Sequence, residues 1–545
     1  MRGLMQDWPL TVDKLLDHAA RWHGDREIVS RDAGGRLSRS TYLDVHRDAR
    51  RVTNALRRMG VRLGDRVATM GWNSARHLSA WFGIQGMGAI CHTLNPRLFL
   101  EQIAYVANHG GARILIADLS VADLVDQLLP LAPAIEHVLF FCSRAELPSI
   151  GRGAIAFDDW IAGESDDTAW GGFDENTACG LCYTSGTTGN PKGVLYSHRS
   201  NYIHALMTLQ RDALALNARD SVLLVVPMYH ANAWGIVYSA PATGAKLVLP
   251  GQRLDGASLQ KLIVDEGCTY STAVPTVWQT LLDHLEASGT GLGQLERVVI
   301  GGSACPESLV RAFGERYGVD VIQGWGMTET SPLATVSIPN AAVAAMPEDR
   351  RAAYKLKQGR LLPSLDLKIT DDEGNRLPHD GRTPGRLKIK GPSIASAYFG
   401  GKSGDALDSE GFFDTGDVST IDPLGYMQIT DRAKDIVKSG GEWISSIDIE
   451  NIVIGHPKVA LAAVIGVVHP KWDERPILLV ALRPGERAEP EEFRAFLDGR
   501  IARWWMPDDV LIVDEIPLGP TGKIDKKRIR TGLEGYKLPF EVTRS

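Results

Sequence analysis

Cysteine is scarce in this 545-residue chain: six in all, too few for a disulfide framework and in keeping with a reducing cytoplasm. Cys179 and Cys182 spell C-G-L-C. No second pair or clustered His follows at zinc spacing, so both read as buried thiols of an apolar strand. No apolar run reaches the length of a membrane span. The first residues, MRGLMQDWPLTVDKLL, soon carry acids and lack the apolar core of a secretion signal. Basic charge is not in excess: 59 Lys and Arg against 66 Asp and Glu leave a net charge of −7, which offers nucleic acid no electrostatic footprint. Internal repeats and low-complexity segments are also absent. What remains is an ordinary globular composition, 44% hydrophobic and 23% charged, in a chain long enough for at least two domains with substantial cores.

Against that plain background stands YTSGTTGNPKG, residues 183–193. Gly186, Gly189 and Gly193 let the backbone approach a bulky anion closely. Thr184, Ser185, Thr187 and Thr188 add hydroxyl donors, and Lys192 adds a point charge suited to phosphate. Successive N–H groups in such a loop form an anion-binding concavity. A solvated linker is disfavoured, because the strand-like run ACGLCY leads directly into it. It is not a Walker A loop, which needs G-x-x-x-x-G-K-[ST]; Pro191 stands where the second glycine belongs, and Gly193 follows Lys192.

Up to about residue 430, helical patterns alternate with short β-rich runs. Residues 47–59 carry Ala49, Val52, Ala55, Leu56 and Met59 at helical spacing before RVATMG. Helices over 75–86 and 100–108 precede AICHTLN and RILIAD, and SVLLVV, AKLVLP, YSTAV, RVVIGG and VDVIQG continue the series. A helix carrying Val277, Trp278, Leu281, Leu282 and Leu285 follows YSTAV. Alternation of this kind predicts an α/β fold: largely parallel sheets covered by helices, with ligands at the carboxyl ends of the strands. The texture changes after Asp431. The remainder, with strands LAAVIGVV, ILLVAL and VLIVDEIP and helices over 491–503 and 525–531, reads as a small α+β domain. The expected division is 1–431 and 432–545.

Further chemistry-bearing segments lie along this frame. GWGMTE (324–329) follows VDVIQ; Glu329 offers a hard oxygen ligand of the kind Mg²⁺ prefers, Thr328 can hold a phosphate oxygen, and Trp325 presents an aromatic face for a base. GGSACP (301–306) begins where RVVI ends, its paired glycines allowing approach of a flat ligand. In FFDTGD (412–417) and DRAKDIVK (431–438), Asp417 is an acceptor suited to two ribose hydroxyls, with Arg432 a donor beside it. SGGEWIS follows, and PTGKIDKKRIR lies near the end. There Lys526, Lys527 and Arg528 read as a basic helix on a solvated face, and Lys523 as a separate, glycine-flanked lysine. His230 sits in PMYHANAWG after SVLLVV.

These segments, in this order, resemble the AMP-forming adenylating enzymes: acyl- and aryl-CoA synthetases, peptide-synthetase adenylation domains and beetle luciferases. Within that superfamily the chain is most similar to the medium- and long-chain fatty acid–CoA ligase branch. The resemblance implies a large N-terminal domain that binds ATP and the acid, with a small, mobile C-terminal domain hinged at Asp431. It implies that residues 184–189 and Lys192 hold the phosphates, and that Thr184 and Glu329 hold Mg²⁺. Gly302, Ser303, Ala304, Gln323, Gly324 and Trp325 then line adenine and the acyl pocket. Asp417 and Arg432 grip the ribose, and Lys523 and Thr328 serve adenylation. His230 orients the substrate carboxylate. Lys438, Gly441, Glu442 and Trp443 border the tunnel for the pantetheine arm of coenzyme A, with Trp443 as an aromatic gate to the acyl tunnel. The implied reaction converts a carboxylic acid to acyl-AMP and then to acyl-CoA, in the cytoplasm. A homodimer is admitted but not specified. A short, thioether-containing or aromatic acid is the alternative substrate; luciferase-type and carrier-protein-loading activities are remote ones.

Overall fold

The structure, a computed structural model, describes residues 1, 3–150, 153–184, 190–303, 305–439, 442–519, 522–536 and 538. Strands that alternate residue by residue between two buried faces build the frame. In Arg66–Met70 and Ile114–Ala117, Val67, Ile114 and Ile116 face one core while Ala68, Met70, Leu115 and Ala117 face another. Such strands must be covered on both sides. They belong to a seven-stranded sheet that is parallel except at one edge, where Ala178–Tyr183 pairs antiparallel with Gly193–Ser197. The segment YTSGTTGNPKG joins these two strands.

A nine-stranded sheet carries the second half of the alternation. Its central strands, from Glu27–Arg31 through Lys246–Leu249, Ser221–Leu224, Tyr270–Ala273 and Arg297–Gly301 to Asp320–Gly326, all run parallel. Helices Tyr42–Arg58 and Ala75–Gly86 lie between the two sheets and share one core with both. Their close approach requires Gly83: a Cβ there would stand 2.5 Å from the Ala49 carbonyl oxygen. Other helices cover the outer faces. Trp278, Leu281, Leu282 and Leu285 of Pro275–Ser288 pack as their spacing predicts.

The alternation stops earlier than the sequence suggests. From Asp366 to Arg432 the chain forms a four-stranded antiparallel sheet, Asp366–Thr370, Gly385–Lys390, Phe413–Ile421 and Met427–Arg432, with no helix between its strands. Its apolar face packs on Trp325 and Ala334. The smaller α+β unit follows. Val459–His469 and Asp473–Leu482 form a long hairpin flanked by Asp509–Val513 and by the short strands Val437–Ser439 and Glu442–Ile444. The helix expected over 491–503 ends at Leu497, because Gly499 turns the chain at φ 73°. A second departure concerns charge. Lys527 and Arg528 are exposed as expected, but Lys526 is not: its ammonium lies 2.7 Å from Glu450 in a pair that is 12% and 10% exposed. Among the described residues no helix is long and apolar enough to cross a membrane, and all six cysteines are free and buried.

Candidate active site

Strand ends of the two large sheets and the edge of the antiparallel sheet converge on one region. The segment 183–193 is closed at its neck, where the Thr184 N–H donates to the Lys192 carbonyl at 2.9 Å. Ser185, Gly186, Thr187, Thr188 and Gly189 lie outside the described residues, as do Ala304 and Gly441 and the side chain of Glu442. Opposite the hairpin, Thr328–Thr330 form a single 3-10 turn that buries Glu329. The Tyr196 hydroxyl donates to the Thr328 carbonyl at 2.7 Å, and the Tyr398 hydroxyl to Glu329 Oε1 at 2.7 Å. Burial raises the Glu329 pKa, against the pull of the Tyr398 hydrogen bond.

Asp417 is the second carboxylate. It is 1% exposed, accepts from Trp325 Nε1 at Oδ2 over 2.9 Å, and has Arg432 Nε 2.6 Å from Oδ1. That ion pair is close but not aligned as a hydrogen bond, so buried Oδ1 is left without a hydrogen-bond donor. A buried acceptor costs free energy until something donates to it; a hydroxyl-bearing ligand such as a ribose fits this vacancy. Trp325 gains a role here that its sequence context did not reveal, since its indole N–H orients Asp417 while its ring is 6% exposed. Gln323 is tied elsewhere: its amide donates to the Lys355 carbonyl.

Lys523 enters this region from the small domain. Its Cε lies 3.6 Å from where a Cβ on Gly302 would stand, and Gly302 has φ 85°, so a side chain at that position would be strained and crowded. Burial lowers the Lys523 pKa to about 8, helped by Arg432 and opposed by Asp417 and Glu329. His230 faces the same space; burial, and then Lys523, lower its pKa to about 4. A neutral imidazole can donate one hydrogen bond to a carboxylate without acting as a base. Beside it lies a small indentation with room for about one water, about 10 Å³, lined by Thr93, Asn95, Leu98, Val106, Tyr183, Tyr229 and His230.

After His230 the backbone makes an unusual left-handed turn. Ala231, Asn232, Ala233 and Trp234 have φ of 46°, 57°, 48° and 55°, a conformation that costs non-glycine residues roughly 1–2 kcal/mol each. Buried Asn232, bonded to Asn201 at 3.2 Å, helps hold the turn. Its result is to lay the Trp234 ring over Gly301 and Gly302, 3.3 Å from a Cβ on the former. Trp234 lies in PMYHANAWG, within the 231–240 stretch expected to line the pocket, whereas Tyr398 stands in no motif of the sequence reading, and only the folded contacts bring it to this region. Ser303 is exposed beside Gly302. Lys438 and Trp443 face each other on the short hairpin of the small domain, with the Lys438 N–H on Glu474. Lys523, from the small domain, feels the charges of Glu329 and Asp417.

Comparison with known proteins agrees with this geometry. Residues 16–399 match the AMP-binding enzyme family, and residues 448–523 match the AMP-binding enzyme C-terminal domain. The chain is 47% identical to a 3-methylmercaptopropionyl-CoA ligase of Ruegeria lacuscaerulensis, over 97% of this chain and 98% of that protein. It is 46% identical to a medium-chain-fatty-acid–CoA ligase of Ectopseudomonas oleovorans, over 97% of each. Among solved structures, the anthranilate CoA ligase AuaEII in complex with anthranoyl-AMP superposes with a TM-score of 0.85 at 25% identity, covering 97% of this chain and 99% of that one. With a half-buried lysine of the small domain under the influence of two buried carboxylates, and with both family regions matched in order, the chain belongs to the AMP-binding enzymes.

Proposed function

We propose that this protein is an AMP-forming acyl-CoA synthetase that activates a medium- or long-chain fatty acid. The observation that carries the proposal is the position of Lys523: a lysine of the small domain enclosed against Gly302 of the large one, with Asp417, Glu329, Arg432 and His230 around it. In the first half-reaction the acid's carboxylate oxygen attacks the α-phosphorus of ATP, and pyrophosphate leaves. Negative charge gathers at that phosphorus, and a positioned ammonium stabilises it. Neutral His230 orients the carboxylate, and a carboxylate nucleophile needs no deprotonation. Asp417 Oδ1 takes the ribose hydroxyls beside Arg432. Glu329, with Thr184, would hold Mg²⁺, whose chemistry is to neutralise phosphate charge.

In the second half-reaction the thiol of coenzyme A attacks the acyl carbon, and AMP leaves. The two steps need different groups near one carbonyl, which favours a small domain that rotates between them. We place the hinge at Asp431 and the domain boundary after it, with the 440–442 segment, Lys438 and Trp443 arriving as Lys523 withdraws. Six free thiols suit a reducing cytoplasm.

A second acid class has a specific observation in its favour. The relative that acts on a 3-methylmercaptopropionyl group is as similar to this chain as the medium-chain ligase. One experiment separates the readings: pyrophosphate release over acids of graded length and over short thioether acids, with and without CoA. The fatty-acid reading expects the highest kcat/KM among the medium or long acids, with AMP and pyrophosphate as products. ADP and phosphate as products would end the adenylation reading altogether.

A further inference from the structure

Tyr398 touches two groups that the proposed reaction keeps for different ligands. Its hydroxyl donates to Glu329 Oε1 at 2.7 Å, and Lys192 Nζ lies 4.6 Å from the centre of its ring. Its own position is fixed from several sides. The Phe399 N–H donates to the Gly193 carbonyl at 2.8 Å, which binds the segment to the phosphate hairpin. Ala395 N–H donates to the Glu329 carbonyl at 2.8 Å, and Ser331 Oγ to the Ser393 carbonyl at 2.7 Å, which bind it to the Glu329 turn. The ring packs on the cluster of Cys179, Cys182, Val194 and Tyr196 and meets Phe413 edge-on. Even glycine 193 serves this contact, since a Cβ there would stand 2.9 Å from Phe399 Cβ.

A lysine and a glutamate this near one another, one of them buried, would ordinarily form an ion pair, because a low-dielectric site strengthens their attraction. Here no ion pair joins them; the tyrosine stands between, an electron-rich face toward the ammonium and a donor toward the carboxylate. We propose that Tyr398 is a positioning residue that keeps Glu329 and Lys192 from neutralising each other, so that the carboxylate stays available to a divalent cation and the ammonium to the phosphates of the incoming nucleotide. The inference rests on the reading of Glu329 and Lys192 as metal- and phosphate-binding groups.

Two variants divide the two contacts, read by equilibrium nucleotide binding and not by turnover. Tyr398→Phe keeps the ring and removes the hydroxyl. Tyr398→Leu removes both. ATP affinity is measured by calorimetry in EDTA and over a Mg²⁺ titration, with thermal melts to check folding. In Tyr398→Phe, affinity in EDTA should stay within about twofold of the wild type. The gain in affinity on adding Mg²⁺ should shrink about tenfold, the scale of losing one hydrogen bond to a charged group. In Tyr398→Leu, affinity in EDTA should fall as well, about three- to tenfold, because Lys192 collapses onto Glu329. Adding Glu329→Gln to Tyr398→Leu should then restore affinity in EDTA, since the competing carboxylate is gone. A purely structural tyrosine gives no such rescue. Equal losses in both variants, or no recovery with Glu329→Gln, would overturn the proposal. If wild-type protein gains no ATP affinity from Mg²⁺, the reading of the site fails first, and independently.

Discussion

Two aspartates on neighbouring strands carry opposite lessons about buried charge. Asp417 and Asp431 are both 1% exposed, and the strands that hold them pair Asp417 with Arg432 and Val418 with Asp431. Residues directly opposite share a face of a sheet, so the two carboxylates emerge on opposite sides. Asp431 is closed: Arg432 N–H donates to its Oδ1 and Ser446 N–H to its Oδ2, each at 2.7 Å. Asp417 is less completely held, with Trp325 on one oxygen and, on the other, the Arg432 guanidinium at 2.6 Å without hydrogen-bond alignment. Two lysines repeat the contrast three residues apart. Lys526 is paired with Glu450 and donates to Ser446 Oγ; burial opposes its charge, but Glu450 and Asp431 outweigh burial and raise its pKa. Lys523 meets carboxylates without pairing to one, and burial wins. A buried charge that is fully satisfied marks a joint, and one that is not is a candidate for a ligand contact.

The joint should respond most strongly when broken. Lys526→Met leaves Glu450 buried without its cation, and removing one partner of such a pair costs about 3–5 kcal/mol. The loss should appear as faster amide hydrogen exchange in the helix Ser446–Ile454 and the strand Val459–His469, which Glu450 joins through the Val464 N–H. ATP affinity should stay within about twofold, because Lys526 binds no ligand. A loss of ATP affinity equal to the loss of protection would erase the distinction between joint and site.

Lys523→Ala tests the open side. Adenylation should slow by roughly 10²–10³, the scale for one preorganised electrostatic group, while thioester formation from supplied acyl-adenylate changes far less. Equal damage to both steps would make Lys523 structural. Its pKa also sets a sign. The ammonium is the useful form, so kcat/KM for adenylation should fall as pH rises through about 8, well below the range of an ordinary lysine. An undiminished rate to pH 10 would show that the ammonium is not needed.

Much of this arrangement was legible from residue order alone, because the signals were local. Strands such as Arg66–Met70 and the helix Ala75–Gly86 follow from periodicity, and the glycines of 301–302 and the Asp417–Arg432 pair from motifs. What escaped depended on contacts between distant segments. Nothing in PMYHANAWG announces a left-handed turn, which exists because Asn232 reaches Asn201 and Trp234 covers Gly301. Lys526 looked solvated because two exposed cations follow it, and Glu450, which buries it, lies 76 residues away by numbering (526 − 450). The antiparallel sheet from Asp366 to Arg432 was folded into the preceding α/β pattern, although DDEGN (371–375), HDG (379–381) and DPLG (422–425) are turn signals between its strands.

Asp417→Asn should weaken ATP binding and lower thermal stability as well, because it breaks the ion pair with Arg432. The amide can still accept from Trp325, but its other end presents a donor to Arg432 and to the ribose. Hydrogen bonds to charged groups are worth about 1.5–3 kcal/mol, so affinity should fall roughly ten- to a hundredfold. Calorimetry with ATP measures it. An unchanged affinity would mean that the vacant Oδ1 is not a nucleotide contact.

Asp431→Asn is the smallest of these changes and the sharpest comparison, because it makes the same substitution one strand away. Here both oxygens already accept backbone N–H groups. The amide keeps one acceptor and turns its NH₂ toward the other N–H, a donor facing a donor, and it removes a negative charge near Lys526. One buried donor left unsatisfied costs about 1–3 kcal/mol, with the low end expected because Lys526 retains Glu450. The cost should appear as a lower melting temperature and as faster exchange at the Ser446 amide. ATP affinity should not move, since the side chain of Asp431 emerges on the face away from Asp417. The two asparagine variants therefore divide on affinity, which is lost at 417 and kept at 431, while both lose stability. If Asp431→Asn weakened ATP as much as Asp417→Asn, the satisfied carboxylate would be a ligand contact after all, and the rule drawn from the two strands would fail at its source.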